Sequence, residues 1–216
     1  MTIRAFIFDL DGVLTDTVEF HYRAWRRLAD EEGLPFTPAD MDRLRGVSRR
    51  DSLSFLLKDR VYAEDRLEAL MARKNAYYLD FVKEITPRDL LPGVRELLEA
   101  LRAGGYRIAL GSASQNAREV IRRLGIDVLF DAIADGHSVM RQKPAPDLFL
   151  HAADQLAARP AECVVVEDAA AGIEAARAGG FRSVGLGPPA RVGAADVVLH
   201  SLAGVHLLDL IQALEA

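Results

Sequence analysis

Two aspartates two residues apart, Asp9 and Asp11, end an apolar run and open onto a glycine in Phe6-Ile7-Phe8-Asp9-Leu10-Asp11-Gly12-Val13-Leu14-Thr15-Asp16-Thr17. Residues two apart on an extended segment point to the same side, so both carboxylates can reach the space beyond the strand's carboxyl end. Like charges at one spot disfavour full ionisation unless a cation or a shared proton intervenes. Two kinds of work follow: one carboxylate as nucleophile or metal ligand, the other as acid and base. Alone, such a triplet reads equally well as a strand-end turn with exposed acids.

Three further strand ends carry matching residue types. Gly111-Ser112-Ala113-Ser114-Gln115-Asn116 follows one strand and opens a helix, offering hydroxyls and free N–H groups to an anion; simple helix capping by Ser114 or Asn116 is the bland alternative. Lys143-Pro144-Ala145-Pro146-Asp147 places a lysine just before a helix, its approach stiffened by prolines. Glu167-Asp168 follows Val164-Val165-Val166, and acid at a neighbouring strand end completes an oxygen cage for a hard cation, Mg²⁺ being the obvious one. A solvated strand end accounts for any one of these; four together point to a single pocket.

The elements that must position these residues alternate as strand and helix. Ala5 to Phe8 suits a strand buried on both faces of a parallel sheet. Further strands are expected at Arg107 to Gly111, Ala132 to Ala134, Cys163 to Glu167, Ser183 to Gly187 and Val197 to Leu199. Helices are expected at Val94 to Ala103, Asn116 to Leu124, Asp147 to Leu156, Ala170 to Ala178 and His206 to Leu214. The pattern is an α/β fold, a doubly wound parallel sheet of Rossmann-like type. Only one helix is needed to cross from the first strand to the second, so the stretch from about Val18 to Pro87 is surplus, and too periodic for a loop. Its helices at Phe20 to Glu32, Asp51 to Leu57 and Arg66 to Val82 define a small all-helical cap over residues 17–87, inserted into a core of residues 1–16 and 88–216. Placed directly after the carboxylate loop, it reads as a lid on two hinges.

Composition narrows the partners. The 216 residues are 50% hydrophobic and 27% charged, an ordinary globular balance, and the net charge of -5 with dispersed arginines gives no case for nucleic acid. The single Cys163, in an apolar strand, is expected to pack as a small hydrophobe, which suits a reducing cytoplasm. No apolar stretch reaches membrane-spanning length, and none reads as a signal peptide. No dimer interface is legible, so monomer is the default.

The run Asp9 to Thr17 resembles the first motif of the haloacid-dehalogenase (HAD) superfamily of phosphoryl-transfer enzymes. The likeness is longest to the sugar phosphomutases within it, through Phe20 to Trp25, the Gly46-Val47-Ser48-Arg49 loop, Arg73-Lys74-Asn75, Ser112-Ala113-Ser114, Phe130 to Asp135 and Lys143 to Asp147. This resemblance implies that Asp9 is phosphorylated and Asp11 carries the proton. Mg²⁺ would be held by the side chains of Asp9 and Asp168 and the backbone carbonyl of Asp11, with Glu167 beside it. Lys143 and Ser112 would offset charge on the transferring phosphoryl group. Arg49, Ser114 and Asn116 would grip a distal phosphate, with Asn75, Ala113 and Gln115 in the same binding set, while Gly46 and Val47 line the sugar site. Thr17 joins the catalytic set, and His21 and Lys74 would link lid closure to Asp11. Two positions depart from the pattern: Gln115 stands where it carries lysine, and Ala169 where it carries serine.

The implied activity is interconversion of β-glucose 1-phosphate and glucose 6-phosphate through β-glucose 1,6-bisphosphate. A sugar-phosphate phosphatase on the same scaffold is the alternative, favoured by Gln115. A catalytically silent phosphosugar-binding protein is a third, and the intact set of Asp9, Asp11, Lys143 and Asp168 speaks against it.

Overall fold

Residues 2–45 and 47–215 are described by a computed structural model. Its centre is the strand that ends at Asp9. This strand, β1 (Ala5–Phe8), is fully buried and lies between β2 (Arg107–Gly111) and β4 (Cys163–Glu167), pairing in parallel with both. With β3 (Ala132–Ala134), β5 (Arg182–Leu186) and β6 (Val197–Leu199) the order is β3-β2-β1-β4-β5-β6, all parallel. The order in which strands are added reverses between β1 and β4, the switch point at which such sheets bind ligands. Asp9 and Glu167-Asp168 sit on its two sides.

Alternation along β1 builds two cores. Phe6 and Phe8 enter one, with α5 (Val94–Ala103), α6 (Ala117–Arg123) and α10 (Leu207–Glu215); Ala5 and Ile7 enter the other, with α7 (Asp147–Gln155) and α8 (Ala170–Gly179). The apolar spacing of α5 explains its seat: Val94, Leu97, Leu98 and Leu101 fall on one face and are all buried. A short α9 (Pro189–Val192) follows β5.

Between β1 and α5 run α1 (Val18–Glu31), α2 (Pro38–Arg43), α3 (Arg49–Leu57) and α4 (Glu64–Val82), which bury a cluster of their own around Trp25, Leu28, Leu53, Leu56 and Leu70. The strands at β1 to β4 and β6 and the helix α5 fall where the sequence patterns put them, and β5 starts one residue earlier than expected. Helix α2 was not expected. Its signal is a capping box in which Thr37 and Asp40 bond each other reciprocally, with Pro38 in the first turn; the flanking glycines mask it as a turn. The two chain segments that join these helices to the sheet run side by side: Leu91 N–H donates to the Leu14 carbonyl at 2.9 Å, and Thr15 Oγ1 to the Asp89 carbonyl at 2.7 Å. Among the described residues, no helix is long and apolar enough to cross a membrane.

Helices α5 and α7 close with the same pair of backbone bonds, but the left-handed residue is Gly105 (φ 77°) in one and Ala157 (φ 48°) in the other. A Cβ in that conformation costs about 1–2 kcal/mol, partly offset by the extra freedom glycine gives the unfolded chain. Ala157→Gly should therefore stabilise the protein by roughly 0.5 to 1 kcal/mol. Thermal unfolding should show a rise of about 1 to 4 °C; an unchanged or lower midpoint would contradict the account.

Candidate active site

The site is built around a buried ammonium. Lys143 Nζ donates to Asp9 Oδ1 at 2.6 Å and to Glu167 Oε1 at 2.7 Å, and the lysine and glutamate side chains are both fully shielded from solvent. Glycines make the room. A Cβ at Gly172 would fall 1.9 Å from Glu167 Oε1, and one at Gly111 would fall 2.9 Å from the Phe149 ring, over which the ammonium lies at 4.7 Å. Glu167 is held from its other side by the Ala169 N–H at 2.8 Å. Burial penalises the Lys143 charge, but the two carboxylates outweigh it and raise its pKa.

Carboxylate oxygens of Asp9, Glu167 and Asp168 lie within 4.8 Å of one another. Lys143 serves Asp9 and Glu167, while Asp168 faces the guanidiniums of Arg45 and Arg191, and at both aspartates burial outweighs these cations. Burial, only partly countered by Lys143, raises Asp9 to about 6. Burial and the charges of Glu167 and Asp9 raise Asp168 to about 7. Hard oxygen donors clustered this closely fit Mg²⁺. Gly12, at φ 81°, lets the chain pass tightly against Asp168, where a Cβ would fall 2.4 Å from Oδ2.

Asp11 is engaged differently. The Thr17 hydroxyl donates to its Oδ1, and His21 Nε2 lies 3.9 Å from its Oδ2. Burial, followed by the charges of Asp9 and Asp168, raises its pKa well above the usual carboxylate value. Behind His21, Lys74 Nζ meets Nδ1 at 2.8 Å, and Tyr78 stacks on the ring at 4.1 Å. Burial, then Lys74 and Arg49, hold His21 well below its ordinary pKa, so the imidazole is neutral at pH 7. Burial, then Arg49, lower the Lys74 pKa well below its ordinary value; with Lys74 as donor to Nδ1 the ring proton lies on Nε2, facing Asp11.

A cavity opens above these groups. From the sheet side Asp9, Asp11, Asp168 and the Ser112-Ala113-Ser114-Gln115 loop line it; from the helical side come His21, Trp25, Arg45, Val47, Arg49 and Lys74. Thr17, Asn75, Asn116, Lys143 and Glu167 stand outside that lining and act on residues within it. Asn75 Oδ1 accepts from Arg49 on one side and from the Asn116 amide on the other, both at 2.8 Å. Asn116 is at the cap position of α6 but makes no side-chain cap bond there, its amide being turned toward Asn75. Gly46, expected at the sugar site, lies outside the described residues. Two arginines had no individual role in the sequence reading. Arg45 NH1 meets Asp168 Oδ2 at 3.3 Å from the helical side, and Arg191 Nε donates to the Asp168 carbonyl at 2.6 Å. Arg45 directly precedes the Gly46-Val47-Ser48-Arg49 loop that carries part of the resemblance; Arg191 belongs to no motif. Cys163 is buried in β4 and its thiol is pushed up to about 12, chiefly by burial, which fits a packing role.

The haloacid dehalogenase-like hydrolase family matches residues 3–180 of the chain. The β-phosphoglucomutase of Bacillus subtilis (strain 168) is 40% identical over 209 residues, covering 95% of this chain and 92% of the relative. A phosphorylated-carbohydrates phosphatase of Thermotoga maritima is 34% identical over 184 residues, 84% of each chain. Among solved structures, the β-phosphoglucomutase of Clostridium difficile superposes with a TM-score of 0.96 at 38% identity, covering 99% of this chain and 98% of that one.

Asp9 and Asp168 hold their protons more tightly in the folded chain than in the unfolded one. Their contribution to the stability of metal-free protein is therefore full below the ordinary aspartate value, near pH 4, and is lost as pH rises through about 6 and 7. Mg²⁺ needs the ionised carboxylates, so the rise in unfolding temperature on adding Mg²⁺ to EDTA-treated protein should be larger at pH 8 than at pH 5.5. At a hundred times the dissociation constant the gain at pH 8 is about 2.7 kcal/mol. Equal gains at the two pH values would contradict this.

Proposed function

The chain belongs to the haloacid dehalogenase-like hydrolase family, and we propose that it acts within that family as a β-phosphoglucomutase, interconverting β-glucose 1-phosphate and glucose 6-phosphate through β-glucose 1,6-bisphosphate. One observation carries the choice of mutase. Arg49 lies opposite the carboxylates, hydrogen-bonds the neutral amide of Asn75, and pairs with no carboxylate among the described residues. A half-buried guanidinium without an acid partner is a ready seat for an anion. A second anion seat facing the nucleophile is what a bisphosphate needs and simple hydrolysis does not. The whole-length likeness to β-phosphoglucomutases supports the same reading.

Asp9 and Asp168, the Asp11 carbonyl and, beside them, Glu167 are the proposed seat of Mg²⁺, which when bound supplies positive charge to the transferring phosphoryl oxygens. An Asp9 carboxylate oxygen attacks phosphorus; the new O–P bond forms as the bond from phosphorus to the sugar oxygen breaks. Asp11 gives its proton to that leaving oxygen. In the other half-reaction Asp11 takes the proton of the 6-hydroxyl of β-glucose 1-phosphate as that oxygen attacks the aspartyl phosphate, which frees Asp9 and forms the bisphosphate; the bisphosphate turns end for end before Asp9 attacks the phosphorus on its 1-oxygen. His21, neutral and fixed by Lys74, holds the Asp11 carboxylate in place. Lys143 stabilises Asp9 as an anion before attack, and Ser112 with the N–H groups of its loop faces the phosphoryl oxygens. The helical insert of residues 17–87 acts as the lid: with Arg45, Arg49 and Trp25 over the cavity it excludes water, so the phosphoryl group passes to sugar.

The test is a coupled assay for glucose 6-phosphate from β-glucose 1-phosphate with Mg²⁺ and a trace of β-glucose 1,6-bisphosphate, inorganic phosphate being followed in parallel. Glucose 6-phosphate should appear much faster than phosphate; phosphate appearing first would make the protein a hydrolase. Asp9→Asn should abolish turnover, and Asp11→Asn should lower it by roughly 10²- to 10⁴-fold with the fold intact by circular dichroism. Arg49→Ala should depress mutase turnover more than any residual phosphate release, and equal losses would remove it from the distal phosphate seat.

A further inference from the structure

We infer that Arg191, outside the cavity, is a positioning residue that fixes Asp168 as a cation ligand. The inference builds on the proposed Mg²⁺ seat. Arg191 reaches Asp168 at two points: its Nε donates to the main-chain carbonyl at 2.6 Å, and its terminal nitrogen lies 3.7 Å from Oδ2. The first contact fixes the peptide plane from which the side chain springs; the second limits how that side chain can turn. With Arg45 3.3 Å away and the Gly12 backbone close beside it, Oδ2 is enclosed on three sides. Oδ1 is left as the oxygen with no guanidinium bond among the described residues.

The surroundings of Arg191 are shaped to this arrangement. Helix α9 follows Pro188 and begins with Pro189, so the chain enters it with little freedom. Gly185 on β5 lets the helix lie directly against the sheet, because a Cβ there would fall 2.7 Å from Val192 Cβ. Gly187, at φ 119°, leaves the path of the guanidinium open; a Cβ would fall 2.6 Å from its terminal nitrogen. Two glycines and two prolines thus carry one side chain across to the neighbouring strand end. The Arg191 side chain is 32% exposed, so it stands between solvent and the buried carboxylate.

Charge and position make opposite predictions. A cation a few ångströms from Oδ2 repels Mg²⁺, so if charge were its only influence, removing Arg191 would tighten metal binding. If Arg191 orients the ligand, removing it loosens binding, and outer-shell partners of metal ligands typically contribute 10- to 100-fold to affinity. The experiment is isothermal titration of EDTA-treated protein with MgCl₂, with no substrate and no turnover. Arg191→Leu should raise the Mg²⁺ dissociation constant about tenfold. Arg191→Lys keeps the charge without the planar fork and should weaken binding as well; it also serves should the leucine variant fail to fold. Wild-type affinity or tighter binding in a folded variant would overturn the role of Arg191 alone. A wild-type protein that binds no Mg²⁺ would overturn the metal seat itself and this inference with it.

Discussion

The contact on which the structure depends is the ammonium of Lys143 between Asp9 and Glu167. Bringing carboxylates together out of water is costly, and the attraction of a counter-ion repays that cost only where geometry is tight and the remaining lone pairs are satisfied. Here the geometry is enforced by the backbone: Gly111 admits Phe149 beneath the ammonium, Gly172 admits Glu167, and the Ala169 N–H takes the second oxygen of Glu167. The pair leaves Asp9 ionisable, while Asp168 relies on the partly exposed Arg45 and Arg191, which do not offset its burial. The site is therefore incomplete as a purely protein structure, which is a reason to expect a cation and to expect its binding to follow pH.

The helical side answers these carboxylates with arginines rather than acids. Arg45 reaches down to Asp168 while Arg49 is kept from every described carboxylate and rests on Asn75. Asn75 joins Arg49 of the insert to Asn116 of the sheet side through a single oxygen, so an anion arriving between them competes with a neutral acceptor. That competition is easier to win than displacement of a carboxylate. The two halves of the cavity thus differ in kind: the lower gathers the carboxylates, the upper holds positive charge loosely.

Much of this was legible in the chain because strand ends in an open α/β sheet are a small set of places, and each carries a local signature. Short apolar runs stopping at Asp9, Gly111 and Glu167 gave both the sheet and the corners of the pocket. The relation between corners was legible only through resemblance, since no spacing says that Lys143 and Asp9, 134 positions apart, meet at 2.6 Å. Helix α2 escaped notice because six residues are too few for periodicity to show, and its capping box lies between glycines that signal turns. Arg191 was invisible for a different reason. Its contacts depend on the exact path of a short helix over glycines 185 and 187, and an arginine in a proline-rich turn looks like any solvated one.

The pairing of Leu14 with Leu91 and of Thr15 with Asp89 sets the two ends of the helical insert within hydrogen-bond reach of each other. Seen from the sheet, seventy-odd residues therefore leave and return through a gap that a tight turn could bridge. The strand pairings do not run through that gap, but Ala24, Tyr78, Val82 and Ile85 of the insert pack into the same core as Phe6 and Phe8, so the insert is seated on the sheet's core as well as tethered at its two ends.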